Sequence, residues 1–307
     1  ILANTSLYET YSHFFHMNID FNVGSWALSH SLHHWINDGL MAIFFFLIGL
    51  EIKREITAGE LSNLKVAILP ILAAIGGMVF PALIYTSLNY ETVGSAGWGI
   101  PMATDIAFAI SALVLLGKRV PTALVTFLVA LAIVDDLGAV IVIALFYTDT
   151  INMMALSLAG LMFVLMLAFN RFGIHMLLPY FIVGLLMWFF MLESGVHATI
   201  AGVLAALAIP STPKRVPSTL TKEAKVLLDE YDKYPVDENY QINEEQKRIL
   251  TNIRNKINEV ETPAARLEHN LHLPVALIII PIFALANAGI KIDFSSISTT
   301  IVEPVSL

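Results

Sequence analysis

Ala130-Leu131-Ala132-Ile133-Val134-Asp135-Asp136-Leu137-Gly138-Ala139-Val140-Ile141-Val142-Ile143-Ala144 sets two adjacent carboxylates inside an apolar run that extends from Thr122 to Phe146. A run of that length reads as a transmembrane helix, with its middle near the bilayer midplane. Each carboxylate there costs roughly 2.5–3.5 kcal/mol on insertion scales, so by default the pair needs a functional reason. Adjacent helical residues point about 100° apart, so both cannot face one ligand squarely. One is expected to look into an ion cavity while its neighbour meets a partner on another helix. A salt bridge within the bundle is the alternative, but the apolar parts of the spans hold no Lys or Arg to make it.

Composition agrees with a polytopic membrane protein. Of 307 residues 57% are hydrophobic and 14% charged, with a mean hydropathy of +0.73, far from an ordinary soluble domain. The absence of cysteine excludes disulfides and thiolate metal sites. Residues 1–34 carry no Lys or Arg, so no basic signal-peptide n-region is present. The net charge of −8 sits in a few loops and says little about partners, and no nucleic-acid partner is expected.

Outward from the Asp pair, spans are expected at about 35–54, 66–86, 98–116, 122–146, 154–169, 176–192, 196–209 and 273–290. Short polar links such as Gly117–Pro121 and Asn170–His175 suit antiparallel neighbours. If the loop with Lys53, Arg54 and Lys65 is cytoplasmic, strict alternation puts 16 of the 17 Lys and Arg residues on that side, leaving only Lys291 opposite. The fold class is therefore an all-α polytopic helical bundle. Its expected organisation is a span end and outer segment over 1–34, seven spans over 35–209, a charged cytoplasmic loop over 210–272, an eighth span over 273–290 and an outer tail over 291–307. Ile1-Leu2-Ala3 running into Asn4 reads as the tail of a span begun upstream. The 210–272 loop holds ten basic and eleven acidic residues. Helical periodicity near Thr221–Leu228 and Gln246–Val260 suggests one or two surface helices.

Residues 17–28 alternate apolar and polar around Gly24-Ser25, the pattern of a β-hairpin with a two-residue turn. A loop with chance alternation is the alternative. An isolated hairpin is marginal in water, so this one is expected to pair with another chain or pack on the bundle.

Besides Asp38, Asp135 and Asp136, the apolar parts of the spans hold one further carboxylate, Asp105, with His197 just inside the seventh span. Pro101-Met102-Ala103-Thr104-Asp105, flanked by Gly97 and Gly99, suggests a helix that breaks and restarts under a Thr or Asp cap. Interrupted spans of this kind point to a transporter binding site; a Pro-kinked helix with a locally satisfied Thr-Asp pair is the alternative. Desolvation and a like-charged neighbour both disfavour an ionised carboxylate, so such a group takes up a proton or a hard cation. It cannot hold both. A site open alternately to each side then exchanges cation for proton by competition alone, with no cofactor and no covalent step.

At these residues the chain resembles the NhaA-type sodium/proton antiporters of bacterial inner membranes. The similar segments are Trp35–Asp38, Gly49–Glu55, Ala103–Ala109, Ala130–Ala144, Ser194–Thr199, Arg266–His269 and Pro281–Gly289. The resemblance implies an inverted-repeat antiporter fold in which Asp136 and Asp135 bind the transported Na⁺, Li⁺ or H⁺. Thr104 and Asp105 would mark the extended chain where two broken helices cross. Glu51, Arg54, Glu268 and His269 would form a pH-sensing cytoplasmic funnel, ordinary interfacial charges being the alternative there. The hairpin would build the periplasmic face of a homodimer in the lipid bilayer. The resemblance also implies that this chain holds only the end of the first span and stops before three further spans, which would carry a second broken helix and a lysine that pairs with the Asp couple.

Three other functions compete. An intramembrane aspartyl protease would show a Gly-x-Gly-Asp element, which is absent, so no enzyme is expected. A truncated, non-transporting membrane fragment and a sodium-coupled symporter use the same residues; a symporter would need an organic solute for sodium uptake.

Overall fold

The computed structural model describes residues 2–23, 26–102, 113, 115–147, 151–215, 217–234 and 242–289. Among these, five helices are long and apolar enough to cross a membrane: Leu32–Thr57 (α2), Lys65–Leu88, Ala123–Ile143, Met153–Arg171 (α5) and Pro263–Asn287 (α10). The second and third of these lie in the helices Leu64–Leu88 (α3) and Thr122–Phe146 (α4). Shorter apolar helices run over Leu177–Glu193 (α6) and Thr199–Ala208 (α7). The all-α membrane architecture is therefore present, together with a small sheet. The expected span at 98–116 begins in a 3-10 helix, Val93–Met102, and residues 103–112 lie outside the described residues.

That sheet is the hairpin. Asn18–Val23 (β1) pairs antiparallel with Trp26–Ser31 (β2), Val23 standing opposite Trp26 and Phe21 opposite Leu28. Gly24 and Ser25 are left for the connection and lie outside the described residues. At its base the hairpin docks on α2: the His30 ring stacks on His34 with centroids 4.2 Å apart, and His34 Nδ1 lies 3.2 Å from Asp38 Oδ2.

Two elements differ from the sequence expectation. Within 1–34, expected to hold a span end and an outer segment with the hairpin, Leu2–Asn4 forms a 3-10 turn and Tyr8–His16 a helix (α1) that the sequence did not suggest. Its apolar stripe is too short to stand out in sequence; Phe15 is buried against Ile36 and Ala286, and the Tyr11 hydroxyl donates to the Leu285 carbonyl of α10. Second, α10 starts at Pro263, ten residues before the expected span. Thr262 caps it, its Oγ1 accepting from Ala265 N at 3.2 Å, with Pro263 in the first turn. Arg266, Glu268, His269 and His272 interrupt the hydropathy of that turn and hide it in the sequence.

The main core lies among α2, α5, α6 and α7, around Leu50, Met166, Tyr180, Met187, Ala201 and Ala206. α2 and α7 touch through small residues. A Cβ on Gly202 would collide with the Ala42 carbonyl oxygen, and one on Gly49 would stand 2.7 Å from the Ala206 methyl. Such close backbone approach is how helices associate in lipid, where the hydrophobic effect does not drive them together.

Within 210–272 the chain forms an antiparallel helix pair, Pro217–Tyr231 (α8) and Glu244–Val260 (α9). Asn243 and Gln246 make a reciprocal capping box at the start of α9. The pair is closed by ions: Arg215 bridges Glu223 at 3.2 Å and Glu259 at 2.7 Å, Lys214 reaches Glu259 at 3.2 Å and Lys256 reaches Glu223. The hydrogen bond from Lys256 holds the Glu223 carboxyl below its ordinary 4.5, and that from Lys214 does the same for Glu259.

Gly202→Val is expected to force α2 and α7 apart and to destabilise the protein by about 3 kcal/mol. Gly160→Ala on α5, where a Cβ meets nothing within 4 Å, should be neutral or stabilising by up to about 1 kcal/mol. Melting of both variants in detergent checks the contrast. The lowered carboxylates of the α8–α9 pair carry their own pH signature. Their contribution is complete above the ordinary glutamate value and is lost as pH falls through the lower folded one. The protection factors of the α8 and α9 amides, taken relative to the intrinsic exchange rate at each pH, should therefore stay flat from about pH 7 to pH 5 and fall below about pH 4.

Candidate functional site

Pro121 starts α4 and no breaker follows it, so the Asp pair is carried on an uninterrupted helix of 25 residues. Asp135 lies about 20 Å along it, near its middle. The pair is split by its own helical geometry: Asp135 is 4% exposed, while Asp136 is half-buried. One turn on, Met78 of α3 fills the space over Gly138, so α3 lies directly against this stretch. On another side α2 approaches α4, and Glu51 of α2 interacts electrostatically with Asp136.

From Glu51 a charged cluster continues to the end of α2. Arg54 pairs with Glu55 at 3.1 Å and with Glu268 of α10, and Glu51 feels Glu268, Arg54, His272 and Glu55. The structure thus brings together Glu51, Arg54 and Glu268 from elements more than 200 residues apart. His269 is exposed on α10 beside this cluster. Thr104 and Asp105 lie outside the described residues.

Two residues beside the cluster have roles the sequence did not suggest. Lys53 Nζ donates to the carbonyls of Leu207, at 2.7 Å, and of Ile209. Asn170 Nδ2 donates to the carbonyl of Ala208 at 2.8 Å. Together they satisfy the last carbonyls of α7, where a cation also meets the negative end of the helix dipole. A lysine before Arg54 and a polar Asn at the end of α5 are the only sequence signals, and neither indicates its target. Asp38 has a local explanation: beyond its pairing with His34, its carbonyl accepts from Trp188 Nε1 at 2.9 Å.

A groove of about 1080 Å³ between α2, α6 and α7 is lined by apolar groups such as Phe46, Met166, Leu185 and Trp188. It offers a cation few oxygens and lies apart from the Asp pair. Among the described residues no group of three or more His, Cys, Asp or Glu is placed to hold a metal ion.

A sequence model of the family described as Na⁺/H⁺ antiporter 1 matches residues 1–307. The Na⁺/H⁺ antiporter NhaA of Sulfurimonas denitrificans is 66% identical over 307 residues, covering 100% of this chain and 69% of the relative. NhaA 1 of Saccharophagus degradans is 49% identical over 307 residues, covering 100% of this chain and 66% of the relative. The NhaA of Helicobacter pylori is 48% identical over 299 residues, covering 96% of this chain and 66% of the relative. The chain spans about two thirds of the length of these relatives. Apolar helices around an interior Asp pair and a family match over every residue lead to one conclusion: the chain belongs to the Na⁺/H⁺ antiporter 1 family of multi-pass integral membrane proteins.

Proposed function

We propose that the protein exchanges Na⁺ or Li⁺ for H⁺ across the bacterial inner membrane, Asp136 with Asp135 being the shared site. The observation that carries this is the adjacent pair halfway along α4, one member buried and the other half-buried. Ionised together in a poorly solvated interior, the two repel. A proton or a small cation relieves the repulsion, and each excludes the other. When the site opens alternately to the two sides, the competition becomes antiport. Thr104 and Asp105 complete the ion shell in this proposal. The electrogenic exchange requires no cofactor.

Glu51, Arg54, Glu268 and His269 form the cytoplasmic mouth and its pH sensor. Support comes from the ion pair between α2 and α10, which lies within a turn of Glu51, a residue that interacts electrostatically with Asp136. The α8–α9 pair lies on the cytoplasmic side with the other basic loops. The hairpin joins two copies in a homodimer, each strand having one neighbour among the described residues and a free outer edge.

In everted vesicles, Na⁺ should collapse an acid-inside gradient with no organic solute present. Asp136→Asn should abolish that response while the purified variant still melts cooperatively. Normal exchange by Asp136→Asn would refute the assignment, and a strict need for a solute would replace antiport by symport. The Arg54–Glu268 pair is partly exposed, so its coupling is about 0.2–1 kcal/mol. Arg54→Ala should move the pH of half-maximal exchange by less than about one unit, since one unit is about 1.4 kcal/mol. Glu268→Ala added to it should move the profile little further, because the partner is already gone; full additivity would exclude the pair from pH control.

A further inference from the structure

Val93–Met102 is a 3-10 helix of ten residues, although such helices rarely exceed three or four because their hydrogen bonds are poorly aligned. In a regular 3-10 helix the Gly99 N–H would donate to the carbonyl of Ala96, three residues back. Here a side chain from α4's end stands at that bond. The Tyr147 hydroxyl donates to the Ala96 carbonyl at 2.9 Å and accepts from the Gly99 N–H at 3.0 Å. A Cβ on Gly99 would sit 2.8 Å from the same phenol oxygen, so the approach depends on glycine at that position. Around it, the Trp98 ring lies 6.2 Å from Tyr147, tilted by 30°, and 5.0 Å from Phe146, edge to face. His197 Nε2 lies 3.2 Å from the Tyr147 carbonyl just ahead of α7. From α3, the Tyr85 hydroxyl donates to the Gly94 carbonyl at 2.8 Å.

We propose that Tyr147 is a positioning residue for ion binding: its hydroxyl pins the 3-10 segment Val93–Met102 to the end of the helix that carries Asp135 and Asp136. The inference rests on the ion-site reading above. Tyr147 is the C-cap of α4 and follows Asp136 by eleven residues, about 16 Å along one stiff rod. The segment that it holds is the chain that runs on toward Thr104 and Asp105. A weak 3-10 ladder fixes that chain poorly by itself, and a phenol that both donates and accepts fixes it against α4.

Tyr147→Phe keeps the ring against Trp98 and removes the hydroxyl, leaving Ala96 and Gly99 with only each other. Na⁺-dependent exchange in proteoliposomes should show an apparent KM for Na⁺ raised about tenfold and a displaced pH profile, with kcat within about twofold. Gly99→Ala attacks the contact from the other side, leaving Tyr147 in place but crowding its oxygen, and should raise KM in the same direction. It supplies the measurement if Tyr147→Phe fails to reach the membrane. Wild-type KM and pH profile in the variants, or a loss of kcat at unchanged KM, would overturn the proposal. Asp136→Asn run alongside separates the failures. If it still exchanges, the ion site and the role of Tyr147 fall together; if it is silent while Tyr147→Phe and Gly99→Ala keep wild-type KM, the role of Tyr147 falls alone.

Discussion

In hydrocarbon no water replaces a missing hydrogen bond, so backbone that leaves the α-helix must find its partner within the protein. Three irregular points of this bundle follow that rule. α7 covers only about 15 Å, half the apolar thickness, and its last carbonyls are met by Lys53 from α2 and Asn170 from α5. The π turn at Trp35–Leu40 gives the Asp38 carbonyl to Trp188. The 3-10 segment before residue 103 takes hydroxyls from Tyr85 and Tyr147. Each irregularity is thereby tied to a helix remote from it in sequence. Short or broken elements become fixed points rather than loose ends.

α2 gathers most of these ties. One side of it lies on α7 through Gly49 and Gly202, so closely that side chains are excluded from the contact. Near its end Lys53 caps α7 and Arg54 holds α10, while Glu51, within a turn of both, reaches toward Asp136. One helix therefore connects the charged mouth, the short helix and the carboxylate pair. A change in ionisation at Arg54–Glu268 acts on the element that also bears Glu51. That mechanical continuity gives the proposed pH control a route, because a rigid helix transmits small displacements that a loop would absorb.

How much of this could be read beforehand followed from range. Helices buried in lipid announce themselves by hydropathy, and α3, α4, α5 and α6 stand close to where the apolar runs placed them. The hairpin was legible because two-residue alternation on both sides of Gly24-Ser25 is a local signal. α1 was not, since nine residues with one aromatic stripe carry too little periodicity. The early start of α10 was masked by Arg266, Glu268, His269 and His272, which lower the hydropathy of its first turns. At the site, Asp135 and Asp136 were legible because two carboxylates in an apolar run are an energetic anomaly. Lys53, Asn170 and Tyr147 were not, because each acts on backbone atoms that any residue could supply, between 38 and 156 residues away.

The difference in burial between the two aspartates bears on which of them exchanges. A carboxylate sealed from its surroundings binds slowly and releases slowly, whatever its affinity; transport requires the bound species to leave on every cycle. In the proposed exchange Asp136, half-buried, meets that kinetic condition, and Asp135 at 4% exposure does not. Asp135 still matters to the energetics, because a second charge one residue away in a low-dielectric interior makes full ionisation of the pair unfavourable. In that proposal the buried residue sets the demand for a positive charge and its half-buried neighbour satisfies it. Proton and sodium relieve the same repulsion with the same unit charge, so selection between them falls to concentration and to the oxygens around the pair. An exchanger built this way responds to pH even without a separate sensor, and a charged mouth then adjusts where that response begins.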